Sequence, residues 1–163
     1  MARAALLVLV AAAALAALAW PAPQRTVPCL EAIDGTAFPY PSGGYRAVLA
    51  AVSVPPAYLA EIEPNGDLKW RWWRKAGLVV RADGRPVTIT VPDGWRDKVA
   101  FEWGNAGTGG AFSSLRIAGC RTAANRGHAY AGGFVVREPS CVPLTFHVGA
   151  RSATVRFGLG KRC

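Results

Sequence analysis

The chain has 163 residues, with 19 Lys and Arg against 10 Asp and Glu, 18 Gly, 12 Pro and four Cys. Its first 19 residues are apolar apart from Arg3, and the 144 that follow still carry 18 basic and 10 acidic side chains. That length is one domain that buries about two-thirds of its unfolded surface, so a multidomain machine and a polytopic membrane protein are excluded. With charged residues at 18% and normal apolar content, extensive disorder does not fit either.

The N-terminus reads as an export signal over residues 1–19. Met1-Ala2-Arg3 is a short basic start, Ala4 to Ala19 is an unbroken apolar run, and Ala17-Leu18-Ala19 is the small-x-small pattern of a cleavage site. Cleavage is expected after Ala19, because a cut after Ala22 would leave Pro23 first. The rival is an uncleaved anchor, since Ala4 to Trp20 is at the short edge of what spans a bilayer. Thr26-Val27-Pro28 ahead of Cys29 does not resemble a lipid-attachment motif.

Residues 20–45, with Pro21, Pro23, Pro28, Pro39 and Pro41, read as an extended Pro/Gly-rich arm that Cys29 pins to a single domain over 46–163. Arg46 to Val54 reads as a strand ending at Pro55-Pro56, with a short buried helix as the rival. Ala57 to Asp67 is ambiguous and closes with the turn Pro64-Asn65-Gly66-Asp67. From Gly77 onward the apolar period is two. Val87, Ile89 and Val91 alternate with threonines, and Val99, Phe101 and Trp103 with Ala100 and Glu102. Leu115 and Ile117, then Leu144, Phe146 and Val148, then Ala153, Val155, Phe157 and Leu159 repeat the pattern. Half-buried antiparallel strands produce this alternation, and turn residues separate the runs. The expected fold class is all-β: an antiparallel β-sandwich, immunoglobulin-like or a similar Greek key, with a small barrel as the alternative.

Four cysteines at 29, 120, 141 and 163, without a Cys-x-x-Cys, suit two disulfides in an oxidising compartment. If strands over 113–119, 130–137, 142–148 and 152–159 alternate up and down, Cys141 and Cys163 meet at one end and Cys120 lies at the other. That order favours Cys141–Cys163 and Cys29–Cys120, unless a crossing segment intervenes at 121–129.

Several strings carry a resemblance: Trp73-Arg-Lys-Ala-Gly-Leu-Val-Val-Arg81, Ser114-Leu-Arg-Ile-Ala-Gly-Cys120, Ala129-Tyr-Ala-Gly-Gly-Phe134, Cys141-Val-Pro-Leu144 and Ala153 to Cys163. Over residues 46–163 the chain resembles small secreted proteins of actinobacteria that have no assigned function. The resemblance implies a Gram-positive envelope or extracellular setting. It brings no activity, cofactor or catalytic residue.

One strip stands out as a candidate binding site: Trp70, Arg71, Trp72 and Arg74, flanked by Lys69, Trp73 and Lys75. Aromatic faces stack on sugar rings and cations meet anionic polymers. The bland alternative is a core-anchoring segment whose tryptophans bury themselves while the Arg and Lys face water. Strand alternation puts Trp70 and Trp72 on one face and Trp73 on the other. The remaining basic residues, among them Arg81, Arg85, Arg121, Arg126 and Arg156, are scattered, so a plain solvated surface explains the charge equally well.

Catalytic machinery is not expected. His128 and His147 would need to converge with Glu102 or Glu138 to hold zinc, no Gly-x-Ser-x-Gly occurs, and nothing selects a carboxylate pair from Asp93, Asp97, Glu102 and Glu138. The run Gly104 to Gly110 lacks a Gly-Lys-Ser/Thr ending and a following helix, and reads as a loop between strands. The expectation is a non-catalytic secreted or envelope-associated protein, without cofactor or metal, that binds a cell-wall or anionic polysaccharide. The alternatives are a structural accessory domain for an envelope protein and, further off, a small hydrolase or inhibitor. Nucleic acid is not an expected partner, and membrane contact is expected only through an uncleaved signal segment.

Overall fold

The computed structural model describes residues 24–104, 110–123 and 126–163. The signal segment expected over 1–19, and residues 105–109 of the glycine-rich loop, lie outside the described residues. Fifteen strands follow in chain order among the described residues: β1 (Arg25–Val27), β2 (Asp34–Ala37), β3 (Arg46–Val48), β4 (Val52–Val54), β5 (Tyr58–Leu59), β6 (Glu63–Pro64), β7 (Trp72–Lys75), β8 (Leu78–Arg81), β9 (Val87–Thr90), β10 (Val99–Trp103), β11 (Ser114–Ile117), β12 (Arg126–Tyr130), β13 (Gly132–Val136), β14 (Ser140–Val148) and β15 (Arg151–Leu159). The fold is an all-β sandwich.

One layer is a six-stranded sheet in the order β1-β11-β9-β14-β15-β5, antiparallel except for the parallel edge pairs β1/β11 and β15/β5. The other consists of two ladders, β10-β13-β7-β6 and β2-β12-β8-β4-β3. These ladders are halves of one bent ribbon. Strand β7 passes into β8 across Ala76-Gly77, and β12 passes into β13 across Ala131. Lys75 stands opposite Gly133 and Leu78 opposite Tyr130, so one register runs through the bend.

A bend takes backbone carbonyls out of the ladder, and a buried carbonyl needs another donor. Here two aromatic side chains supply it from opposite sides. The Trp103 indole N–H donates to the Ala76 carbonyl at 2.7 Å, and the Tyr45 hydroxyl donates to the Gly77 carbonyl at 3.0 Å. Gly133 is required beside the bend, because a Cβ there would collide with the Arg74 carbonyl of the paired strand.

The core lies between the layers. Phe134 of β13 meets Phe157 of β15 with ring centroids 5.2 Å apart, and Trp103 sits edge-on to Phe134 and stacked on Phe101. The alternating residues of β9, β10 and β14 point into it: Ile89, Phe101, Trp103, Leu144 and Phe146 are fully buried, while Thr88, Thr90, Thr145 and His147 are half-buried. Alternation is masked in β13, where all five residues are buried.

Of the arm expected over 20–45, the described residues 24–45 do not stand off from the domain. From Arg25 the segment is woven into both layers, β1 pairing with β11 and β2 with β12, and Val27 is fully buried. Pro28 falls between β1 and β2, and Pro39 and Pro41 fall between β2 and β3, where the missing N–H costs no ladder bond. Residues 38–45 then cross the ribbon: Phe38 is buried, and the Tyr40 N–H donates to the hydroxyl of buried Ser53 at 3.0 Å. The stretch 46–54 is a hairpin of β3 and β4, not a helix.

The disulfides are Cys29–Cys120 and Cys141–Cys163. The pairing matches the expected one, but the simple up-and-down order behind it does not hold, because β12 crosses to the other layer at 126–130. Cys29 and Cys120 meet because each lies just past the end of the parallel pair β1/β11. Cys163 returns to Cys141 through a reversal at Gly160, whose φ of 64° favours glycine.

Candidate functional site

The strip at 70–74 does not form one surface. Strand β7 begins only at Trp72, and the preceding residues belong to a tight loop. Within that loop the Asp67 carboxylate accepts the N–H groups of Lys69 and Trp70 at 2.7 and 2.8 Å, and the Asn65 amide donates to the Trp70 carbonyl. The Trp70 and Lys69 N–H bonds hold the Asp67 carboxyl below its ordinary range. The loop resets the alternation, so Trp70 and Trp72 part company. Trp70 lines a shallow pocket of about 260 Å³ with Arg96, Ala100 and Phe112, and Lys69 Nζ lies 4.7 Å from its ring centroid. Trp72 stands opposite Val136 and packs against the core. Arg74 stands opposite Phe134 on that same inward face. Its Nε is buried without a partner, and its guanidinium lies 3.6 Å from Glu61. Arg71 is exposed and lines two pockets, one with Asp97, Lys98 and Arg137 and one with Pro64, Asp67 and Trp72, so Arg71 and Trp72 are the two strip residues that share a surface.

The titratable residues considered for catalysis are also dispersed. His128 sits on β12 opposite Val80, with its Nε2 buried and unpartnered, whereas His147 on β14 lies 3.3 Å from the Thr90 hydroxyl. Asp93 pairs with Arg96 at 2.7 Å and Asp97 with Arg137 at 3.8 Å. Among the described residues, no group of three or more His, Cys, Asp and Glu could hold a metal ion.

The structure gathers a different set. Because β8 and β12 are antiparallel neighbours, the end of β8 lies beside the start of β12, placing Arg81 next to Arg126. The turn after β11 is drawn alongside by two backbone bonds, Gly84 N–H to the Cys120 carbonyl and Thr122 N–H to the Ala82 carbonyl. The Cys29–Cys120 disulfide anchors that turn, so Arg121 arrives at the same place. The result is an open pocket of about 330 Å³ lined by Arg81, Asp83, Arg121, Thr122 and Arg126 among others. Gly84, at a φ of 87°, lies under Arg121, and a Cβ there would meet the Arg121 Nε.

Charge in this pocket is unbalanced. Among the described residues, Asp83 is the one carboxylate lining it. Arg85 holds that carboxylate through Nε at 2.9 Å and Nη2 at 2.6 Å, and Arg81 Nε is 3.7 Å away. The Arg85 hydrogen bond, above all, lowers the Asp83 carboxyl from its ordinary value, so it stays ionised near neutrality. Arg126 donates to the Gly35 carbonyl at 2.7 Å. Among the described residues, no carboxylate lies within ion-pair distance of Arg121 or Arg126. A pocket of this kind suits an anion with several acceptor oxygens. Sequence reasoning saw these arginines only as scattered surface charge. The spacing of 81, 85, 121 and 126 carries no local signal, because it depends on how β8, β12 and the disulfide turn come together.

A second groove, of about 360 Å³, runs along the bend between Ile33, Tyr40, Tyr45 and Lys75. Its Tyr40 and Tyr45 rings meet edge-on at 5.0 Å. Burial, with a smaller contribution from Tyr40, raises the Tyr45 hydroxyl above its ordinary range.

No protein-family model matches the chain, and no curated protein or solved structure does either.

Proposed function

We propose that the protein is a non-catalytic, secreted or envelope-associated β-sandwich that binds an anionic polymer of the cell envelope. The observation that carries this reading is the arginine pocket, in which Arg81, Arg121 and Arg126 share the lining with Asp83, a carboxylate that Arg85 already holds from beside the pocket. Two disulfides fit an extracellular protein, no helix of the described residues is long and apolar enough to cross a membrane, and the resemblance to secreted actinobacterial proteins points to the same setting. The net charge of +9 favours anionic surfaces at long range.

The site proposed for this activity is Arg81, Arg121 and Arg126, with Arg85 holding Asp83. Trp70, Arg71, Trp72 and Arg74 are set aside as a combined site, because Trp70 lines a different pocket from Arg71 and Trp72, and Arg74 turns towards Glu61. Co-sedimentation of the oxidised protein with purified Gram-positive cell walls tests the reading. Binding at low salt that weakens at high salt is expected, since exposed charges are screened together.

A second reading, an accessory domain docked on an envelope protein, is favoured by the exposed side chains of Leu30, Ile33 and Leu68. It predicts no wall binding at either salt concentration.

A further inference from the structure

We infer that the arginine pocket takes a phosphodiester group, so that the polymer bound is a polyol phosphate and not a polyuronate. The inference rests on the polymer-binding reading and specifies its ligand. A carboxylate is planar, and a single guanidinium can meet both its oxygens in that plane, whereas a phosphodiester presents its oxygens in more than one plane. In the pocket wall the Arg85 side chain donates only to Oδ2 of Asp83. The three arginines that line the pocket come from three separate segments: Arg81 from the end of β8, Arg121 from the disulfide-anchored turn, and Arg126 from the start of β12. Arg126 also donates to the Gly35 carbonyl and Arg81 lies 3.7 Å from Asp83, which leaves each with further N–H groups. Donors placed around one pocket by separate segments suit oxygens that point in tetrahedral directions, and guanidinium is the cation that binds such oxygens through directed N–H groups.

The rest of the lining fits what flanks a phosphodiester. Thr122 contributes a hydroxyl, and Asp83 keeps acceptor capacity on Oδ1, which takes one N–H bond from Arg85. Both can pair with the hydroxyls of a polyol linker. The pocket's half-open form, at about 330 Å³, admits one diester with its neighbouring carbons while a chain continues out on both sides. Arg121 is the most informative residue. Its guanidinium has no carboxylate partner among the described residues, and its place is set by the disulfide at Cys120 and by the bare backbone of Gly84 beneath it.

The experiment measures affinity by calorimetry, at equal charge concentration, for poly(glycerol phosphate), polygalacturonate and phosphatidylglycerol vesicles. It uses the oxidised wild-type chain, Arg121→Gln, and Arg156→Gln as a control that removes the same charge from an exposed site on β15. The expected result is that poly(glycerol phosphate) binds about tenfold more tightly than polygalacturonate, and that Arg121→Gln loses about tenfold of that affinity. Arg156→Gln should change it by less than about twofold. Arg121 sits at the surface, and circular dichroism confirms that the variant is folded.

Equal binding of the two polymers would overturn the phosphodiester inference while leaving the polymer-binding reading intact. Equal losses in the two variants would overturn the pocket in favour of diffuse charge. Vesicle binding with the same Arg121 dependence and no preference for the polymer would overturn the polymer as source. Binding to neither polymer would overturn both the inference and the reading it rests on.

Discussion

Leu49 and Ala50 both stand at a φ of 51°, between Val48 and Ala51, whose carbonyl and N–H close the turn at 3.0 Å. Positive φ at both central positions is the signature of a type I′ hairpin, which ordinarily uses Asn-Gly. Leu49 keeps its place because its side chain packs against the core, so the relievable strain is at Ala50. Ala50→Gly is expected to raise stability by about 1 kcal/mol, measured by urea unfolding. Tyr130 makes a second residue-scale prediction. Burial, with a smaller contribution from Glu31, pushes its hydroxyl up from 10.0 to about 12. A raised folded-state value means that the unfolded chain ionises first, so stability is intact below pH 10.0 and falls as pH rises towards about 12. Tyr130→Phe should flatten that alkaline slope, and an unchanged slope would contradict the assignment. At this scale the sequence was partly legible. The buried residues of alternating runs, such as Ile89, Phe101 and Phe146, could be named. The 49–50 turn could not, because neither residue is a turn former and only tertiary packing holds them there.

At the scale of elements, the bend in the long ribbon is the feature on which the second layer depends. Trp103 and Tyr45 cap the carbonyls of Ala76 and Gly77 from inside and outside. Tyr45→Phe leaves the Gly77 carbonyl without its side-chain donor and should cost about 1–2 kcal/mol in thermal or urea unfolding. The disulfides make a graded prediction. Cys29–Cys120 closes a separation of 91 residues and Cys141–Cys163 one of 22, so loop entropy assigns about 4.6 kcal/mol to the first and about 3.4 to the second. Replacing each pair with alanine should reproduce that order. The strands of the second half of the chain were readable because each buries one face, and period two survives wherever one face meets water. The first half was not. The strands β1, β2, β5 and β6 have two to four residues each, too few to show a period, and prolines between them look like an arm. The Trp70–Arg74 strip misled for a related reason. Its spacing is that of a strand, but the Asp67 loop uses up the first two positions and shifts the phase.

For the whole molecule, the question is whether its positive charge is a general property of the surface or the mark of a site. The sequence gives an excess of cations and no preferred location, because Arg81, Arg121 and Arg126 are brought together only by the antiparallel crossing of β8 with β12 and by the Cys29–Cys120 tether. The fold therefore converts scattered arginines into a pocket in which Asp83, the one carboxylate among the described lining residues, is already held by Arg85. The direct test of this account is co-sedimentation of the oxidised protein with purified Gram-positive cell walls, comparing wild type with Arg121→Gln at low and high salt. The account predicts wall binding at low salt that weakens at high salt and falls about tenfold in the variant. Absence of wall binding at both salt concentrations, or full binding by Arg121→Gln, would contradict it.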